Sequence, residues 1–312
     1  MGADLRDRCD RAVAIFALVD EISGRSISDF CWNGPEDALR PTGIAQPALV
    51  ATELALLVAL AERNAPTIRD LPSALIALGV QAVAGHSLGE YSACVAAGAL
   101  DVGDALSLAV LRGRLMADAA EGTMVAVLGM DLAAIEDITR ICPGIIAVAN
   151  DNAPGQVVLS GEVSAIDAAT ITLRERGAKR VLPLKVSGAF HSPLMAPAAA
   201  EFAVALTAVD IHDPQIPVIG NVTGLPLLTA ADVRNELQSQ ITSTVRWRES
   251  LLYLERIGIR QIIEIGPGDV LAGLARRTVR EMSVLSIGTW AAIEECSQRF
   301  TVEGEARTRN LG

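Results

Sequence analysis

The stretch from Leu75 to Leu100 constrains this chain more than any other. An apolar run, Leu75 to Ala84, leads into Gly85-His86-Ser87-Leu88-Gly89 and then into a small-residue segment, Glu90 to Leu100. That order reads as strand, tight turn, helix. Glycines on both sides of Ser87 allow a sharp turn that thrusts the hydroxyl clear of neighbouring side chains. The start of the helix leaves backbone N–H groups, above all that of Leu88, where an oxyanion would form. Ser87 is therefore the candidate nucleophile; a glycine-rich turn with a solvated serine is the plain alternative.

The rest of the chain repeats the alternation. Asp104 to Ala119 carries Leu106, Val110, Leu111 and Leu115 at helical spacing, so a parallel α/β sheet covered on both faces is expected. The middle changes character. Met124 to Leu128, Gln156 to Ser160 and Lys179 to Leu184 read as strands, separated by helical patterns at Asp131 to Arg140 and Ser164 to Arg176. This predicts a small inserted α+β unit of split-βαβ type. Further strands are expected at Ile216 to Asn221 and Gln261 to Ile265, the latter ending in Gly266-Pro267-Gly268 before a helix from Val270. The tail from Thr301 to Gly312 is polar and expected to fray.

With 51% apolar and 20% charged residues, the chain reads as globular. A net charge of -11 without a basic stripe excludes nucleic acid as the expected partner. Pro47 to Ala61 is the most apolar stretch; it carries Glu53, falls short of the ~20 residues of a bilayer span, and reads as a buried helix. No membrane association is expected. The five cysteines, Cys9, Cys31, Cys94, Cys142 and Cys296, are scattered without a CxxC pair, which predicts free thiols rather than disulfides or a metal site. With no basic, apolar leader at the N-terminus, a cytoplasmic location is expected.

A serine hydroxyl needs a base, and three histidines are available. His86 adjoins Ser87, and neighbouring side chains at an elbow diverge. His212 sits in Asp210-Ile211-His212-Asp213-Pro214, which reads as a solvated surface turn. His191 lies in Ser187-Gly188-Ala189-Phe190-His191-Ser192-Pro193, a loop shaped by glycine and proline, and elimination favours it. Arg112, beside Gly113 in an apolar-periodic helix, has the guanidinium fork that grips a carboxylate. A surface arginine or a core ion pair is the commoner fate of such a residue, and spacing alone does not decide between them.

Seven segments together resemble the malonyl-CoA:acyl carrier protein transacylases and the acyltransferase domains of polyketide synthases. They are Thr42 to Leu49, Gly85 to Ser92, Arg112 to Met116, Asn152 to Val158, Val186 to Ser192, Val245 to Trp247 and Glu264 to Gly268. They follow the family's order across nearly the whole chain. The resemblance implies an α/β-hydrolase-like subdomain, residues 1-122 and 187-312, with a ferredoxin-like subdomain inserted at 123-186. It implies that Ser87 is acylated by malonyl-CoA, that His191 is base and then acid, and that the phosphopantetheine thiol of an acyl carrier protein takes the group. A backbone carbonyl at Gln240 is implied to orient His191, in a Ser-His dyad without an acid. Arg112 is implied to pair with the malonyl carboxylate. Leu88, Phe190 and Gln46 complete the implied substrate site, with Phe190 matching malonyl-selective members. No cofactor is implied beyond the coenzyme A thioester itself, and a monomer is expected.

The chain departs from the pattern at its start. Family members usually open with a strand ending in Phe-Pro-Gly-Gln-Gly-Ser-Gln, whereas Met1-Gly2-Ala3-Asp4-Leu5 resembles the tail of that signature. The missing strand is expected to leave sheet edges unpaired, and its glutamine would be the second oxyanion donor, worth ~3 kcal/mol. A start site placed too far downstream and a genuine truncation are the two explanations, the first favoured by the intact motifs that follow. Rival functions are a serine hydrolase of thioesterase type, with Asp131 or Asp151 as the acid, and a non-catalytic docking module. Arg114, Lys179, Arg180, Arg276 and Arg277 are candidates for meeting an acidic carrier.

Overall fold

The computed structural model describes residues 1–119 and 121–298; the expected fraying of the tail lies outside these. Helices α1 (Asp10–Ser23), α2 (Ile27–Asn33), α3 (Thr42–Asn64) and α4 (Leu71–Ala77) precede the short strand β1 (Val83–Ala84). The elbow follows, then α5 (Gly89–Ala96) and α6 (Val102–Asp118). The middle of the chain holds β2 (Thr123–Leu128), α7 (Leu132–Ile141), β3 (Ile146–Ala153), β4 (Gln156–Gly161), α8 (Val163–Glu175) and β5 (Arg180–Pro183). The chain returns through α9 (Ala196–Leu206), β6 (Val218–Ile219), β7 (Pro226–Leu227) and α10 (Ala230–Gln240). Last come α11 (Trp247–Arg256), β8 (Gln261–Ile265), α12 (Val270–Thr278) and β9 (Ser283–Ile287).

The middle unit is a four-stranded antiparallel sheet in the order β3-β4-β2-β5. Alternate residues of β2 and β4, Val125, Val127, Val157 and Leu159, meet Ile135 and Ile138 of α7 and Ile166 and Leu173 of α8 in a core of their own. This is the β-α-β-β-α-β order of ferredoxin-like units. The expected pattern lacked β3. That strand runs through Asn150-Asp151-Asn152, all buried, and polar residues in sequence carry no strand signature. Their neighbours explain the burial: Asp151 meets Arg248 Nε at 2.8 Å, and the backbones of Ala149 and Asp151 exchange hydrogen bonds with Val245.

The larger unit holds its strands in two pieces, β1-β6-β7, with β7 antiparallel to β6, and β8-β9. Val83 pairs with Val218 and Ile263 with Leu285, both in parallel register. Neither β1 nor β8 has a second described strand neighbour, and Val83, Ala84 and Ile262 to Ile265 are only half-buried. Most of the core lies instead between α1, α3, α5 and α6, around Phe16, Leu54, Tyr91 and Leu106.

Two expectations need correction. Leu75 to Ala84 is not one strand: Leu71–Ala77 is a helix and only Val83–Ala84 pairs. Asp70 caps that helix by accepting from the Ser73 N–H, Pro72 sits in its first turn, and Gly79, at φ 85°, turns the chain out of it. The Asp-Leu-Pro-Ser start outweighs the apolar run. The apolar helix, too, is longer than read, because Thr42–Asn64 continues through Pro47. By length and composition it could cross a bilayer, yet 83% of its most apolar window is buried inside the protein.

Candidate active site

Ser87 and His191 are the only non-glycine residues among those described with positive φ, at 50° and 57°. Such backbone persists only where surroundings over-determine it, and both sites are pinned. At the elbow, Asn221 Oδ1 accepts the Ser87 N–H at 2.6 Å, and Gln240 Nε2 donates to the Ser87 carbonyl at 2.8 Å. A Cβ added to Gly85 would lie 2.0 Å from the backbone of Gly89. Gly85→Ala is therefore expected to cost at least about 3 kcal/mol of stability. A denaturant titration on the soluble fraction checks this; a midpoint equal to wild type would refute it.

The serine Oγ stands 2.7 Å from His191 Nε2. On the other side of the ring, Nδ1 faces two carbonyls, Gln240 at 2.9 Å and Ser243 at 3.1 Å. Carbonyls only accept, so the ring proton resides on Nδ1 and Nε2 is left to take the serine proton. Gln240 is the last residue of α10. Its carbonyl presents the negative end of the helix to the ring, which favours the imidazolium that forms during reaction. Among the described residues no carboxylate bonds His191. Asp151 is committed to Arg248, and Asp131 stands at the N-terminus of α7, so neither fills the acid slot of a hydrolase triad.

Burial, then the charge of Arg112, hold the free His191 ring far below its ordinary range, at about 3. The base is thus neutral, and competent, across the range where an ordinary histidine would charge. Labelling of Ser87 by a fluorophosphonate should stay level from pH 8 down to about pH 4.5 rather than halve near pH 6.5. A half-maximal point near 6.5 would refute this. Stability has the matching sign: below pH 6.5 the unfolded ring takes a proton that the folded ring refuses. That contribution to stability is lost as pH falls from 6.5 towards 3.

Arg112 is almost fully buried on α6. Its Nη1 donates to Gln46 Oε1 at 2.8 Å; its Nη2 donates to Ser87 Oγ at 3.0 Å and Gln240 Oε1 at 3.1 Å. Nε has no partner, and no carboxylate lies within ion-pair distance among the described residues. The helices that carry Gln46 and Arg112 cross closely at Gly113, where a Cβ would meet the Thr42 carbonyl at 3.0 Å. Gln46 is fixed in turn by donating to Thr42 Oγ1 at 2.9 Å.

The other expected residues fall around this centre. Leu88 leads into α5, and no hydrogen bond among the described residues engages its N–H. Phe190 touches the cores of both units, which places it at their junction. His86 turns away from Ser87: its Nε2 lies 2.8 Å from Asn152 Oδ1 and its ring meets Trp247 edge-on at 5.5 Å. His212 is exposed beside Asp210. Sequence reasoning did not single out Asn221, Glu90 or Asn152. Asn152 and Glu90 sit inside matching segments, while Asn221 follows a two-residue strand and carries no local signal.

Residues 1–300 match the model of the acyl transferase domain family. The malonyl CoA-acyl carrier protein transacylase of Bacillus subtilis is 37% identical over 98% of this chain and 94% of its own. The acyl-carrier-protein-S-malonyltransferase of Bartonella henselae superposes with a TM-score of 0.89 at 37% identity, over 96% of this chain and 95% of that one. A malonyl-transacylase solved in complex with its type II polyketide acyl-carrier protein superposes with a TM-score of 0.87 at 35% identity, over 96% and 94%. A serine on a strained elbow, a histidine oriented by carbonyls and relatives matched over nearly their full length place this chain in the acyl transferase domain family.

Proposed function

We propose that this protein transfers a malonyl group from malonyl-CoA to the phosphopantetheine thiol of an acyl carrier protein, through a malonyl ester on Ser87, in fatty acid or polyketide biosynthesis. Ser87 Oγ attacks the thioester carbonyl while His191 Nε2 takes its proton. The Leu88 N–H, at the start of α5, faces the developing oxyanion. Collapse expels the coenzyme A thiolate, which takes the proton back from His191. The carrier thiol then gives its proton to His191 and attacks the ester, and Ser87 leaves with that proton. Each step exchanges one acyl ester for another, so the cycle calls for no cofactor.

The observation that carries the reading is Arg112. It is a buried cation with no carboxylate in ion-pair contact among the described residues, 3.0 Å from the nucleophile. Burying an unpaired charge is costly, and a substrate carboxylate beside Ser87 relieves that cost. An acetyl group brings no such partner. Phe190, Gln46 and Gln240 shape the same pocket in this reading.

An acidic carrier fits a basic face at one end of the small sheet. Leu128 pairs with Gln156 on one side and Arg180 on the other, and Arg277 Nη1 reaches Gln156 Oε1 at 2.5 Å. Lys179, next along the chain, is exposed with Arg180 and Arg277. One chain supplies both Ser87 and His191, so a monomer suffices. A cytoplasmic setting is part of this reading, supported by Cys9, Cys31, Cys94 and Cys142, which stand outside any disulfide.

Intact mass tests the reading. Malonyl-CoA alone should add one malonyl group to the protein, and holo-acyl carrier protein should then remove it and gain the same mass. Steady release of coenzyme A without carrier and without an adduct would favour the hydrolase instead.

A further inference from the structure

Beneath the elbow lies a buried carboxylate that touches neither Ser87 Oγ nor His191. Glu90, one residue into α5, is fully buried. Its Oε1 accepts from the backbone N–H and the side-chain Nδ2 of Asn221, at 2.8 and 2.7 Å, and its Oε2 accepts from Gln240 Nε2 at 2.5 Å. Asn221 spans the turn: Nδ2 also donates to the Gly85 carbonyl at 2.7 Å, and Oδ1 takes the Ser87 N–H. Gln240 spans the other parts of the site. Its Nε2 bonds the Ser87 carbonyl, its Oε1 takes Arg112, and its backbone carbonyl takes His191.

An amide side chain can sit either way round, and its neighbours decide. On one face Gln240 meets Arg112, which only donates. On the other it meets Glu90 and the Ser87 carbonyl. Burial and then Glu236 push the Glu90 carboxyl well above its ordinary range, yet both its oxygens accept from the amides that face them, and while they do, a single amide orientation satisfies every contact. The same carboxylate orients Asn221, whose Oδ1 is thereby left to hold the Ser87 N–H.

We infer that Glu90 is a positioning residue: through Asn221 and Gln240 it locks the strained serine elbow, the carbonyl that orients His191 and the Arg112 fork into one arrangement. Three parts of the site that lie far apart in sequence share one acceptor. A second carboxylate, Glu236, lies close by but differs in its contacts. Its Oε1 accepts from the Val222 N–H at 2.6 Å, and Gly220 leaves room for it, since a Cβ there would stand 2.7 Å from Glu236 Oε2. It also faces the Asn221 N–H and the Glu90 side chain, but among the described residues it makes no hydrogen bond to Gln240 or Ser87.

Glu90→Gln tests the inference. The new amide has one donor face, so either Gln240 or Asn221 must turn or lose a bond, while volume and burial are preserved. The reaction followed is Ser87 labelling by a fluorophosphonate, in which Oγ displaces fluoride at phosphorus and His191 takes the proton. That reaction needs the elbow and the dyad but no acyl-CoA, so it reads the inference even if malonyl-CoA, the substrate of the proposed function, proves wrong. Labelling by Glu90→Gln should slow about 10- to 100-fold, the size of effect of sub-ångström misplacement. Its melting temperature should stay level or rise, because one of two adjacent buried acids is neutralised. Glu236→Gln, which neutralises the other acid, should label within about threefold of wild type. If malonyl transfer is observed, Glu90→Gln should lower kcat and raise KM for malonyl-CoA, because the dyad and the Arg112 fork are displaced together.

Equal labelling by Glu90→Gln and wild type would overturn the inference. So would equal slowing in Glu90→Gln and Glu236→Gln, which would make the effect one of buried charge alone. Should Glu90→Gln fail to fold, Glu90→Asp carries the test. It keeps acceptor-only oxygens on a shorter stem, and folded Glu90→Asp labelling at the wild-type rate would overturn the inference equally.

Discussion

Ser87→Ala should form no adduct with malonyl-CoA, and carrier malonylation should fall by at least about 10⁴-fold. The expectation rests on there being one hydroxyl at the focus of the site: Oγ is 2.7 Å from His191 Nε2 and 3.0 Å from Arg112 Nη2. Alanine keeps the backbone N–H held by Asn221 and the carbonyl held by Gln240. The elbow should therefore survive, with stability within about 1 kcal/mol of wild type. His191→Ala is the informative contrast. It retains the nucleophile but not the base, so it should still acylate, about 10²- to 10⁴-fold more slowly. Intact-mass time courses on the three proteins separate these outcomes. An adduct on Ser87→Ala at anything near the wild-type rate would place the nucleophile elsewhere.

Arg112→Ala should erode substrate preference, with the ratio of kcat/KM for malonyl-CoA over acetyl-CoA falling by at least about 10²-fold. A charged hydrogen bond to a buried partner is worth about 3–5 kcal/mol when one side is removed. That range corresponds to roughly 10²- to 10⁴-fold in rate. Under the proposed function an acetyl group would leave the guanidinium buried and unpaired, a penalty that disfavours it. Alanine removes that penalty, so acetyl transfer should hold or rise while malonyl transfer collapses. Arg112→Lys should lie between, since it keeps the charge but loses the fork that spans Gln46, Ser87 and Gln240. Competition between the two thioesters, scored by adduct mass, measures the ratio directly. Unchanged selectivity would remove Arg112 from substrate recognition. The acid limb of Ser87 labelling should also shift upward in Arg112→Ala, because the arginine's charge is one reason the His191 ring resists protonation.

Much of this was legible before any coordinates, and for identifiable reasons. A serine elbow needs small residues within a few positions of the nucleophile, so Gly85 and Gly89 announce it locally. Helices α6, α7, α8 and α12 show their apolar periodicity plainly, and β8 matches its apolar run residue for residue. Elimination among three histidines and the family resemblance together pointed Ser87 to His191 across 104 positions, whereas the contact of Arg112 with Gln240 across 128 leaves no local trace. Where local cues misled, a stronger local cue was present: Asp70 and Pro72 start a helix inside what read as a strand.

What the sequence determined by itself was the inventory: a nucleophile on a turn, three histidines of which one sits in a constrained loop, and an arginine in an apolar helix. Tertiary structure decided what each could do. It buried Arg112 with no carboxylate in ion-pair contact among the described residues, put two carbonyls behind His191, and turned His86 to Asn152. It also gathered Glu90, Asn221 and Gln240 beneath the elbow from separate elements. The physical reason is common to all of these. Charge state, tautomer and amide orientation depend on burial and on which donors and acceptors face one another, and those are set by residues far apart in the chain.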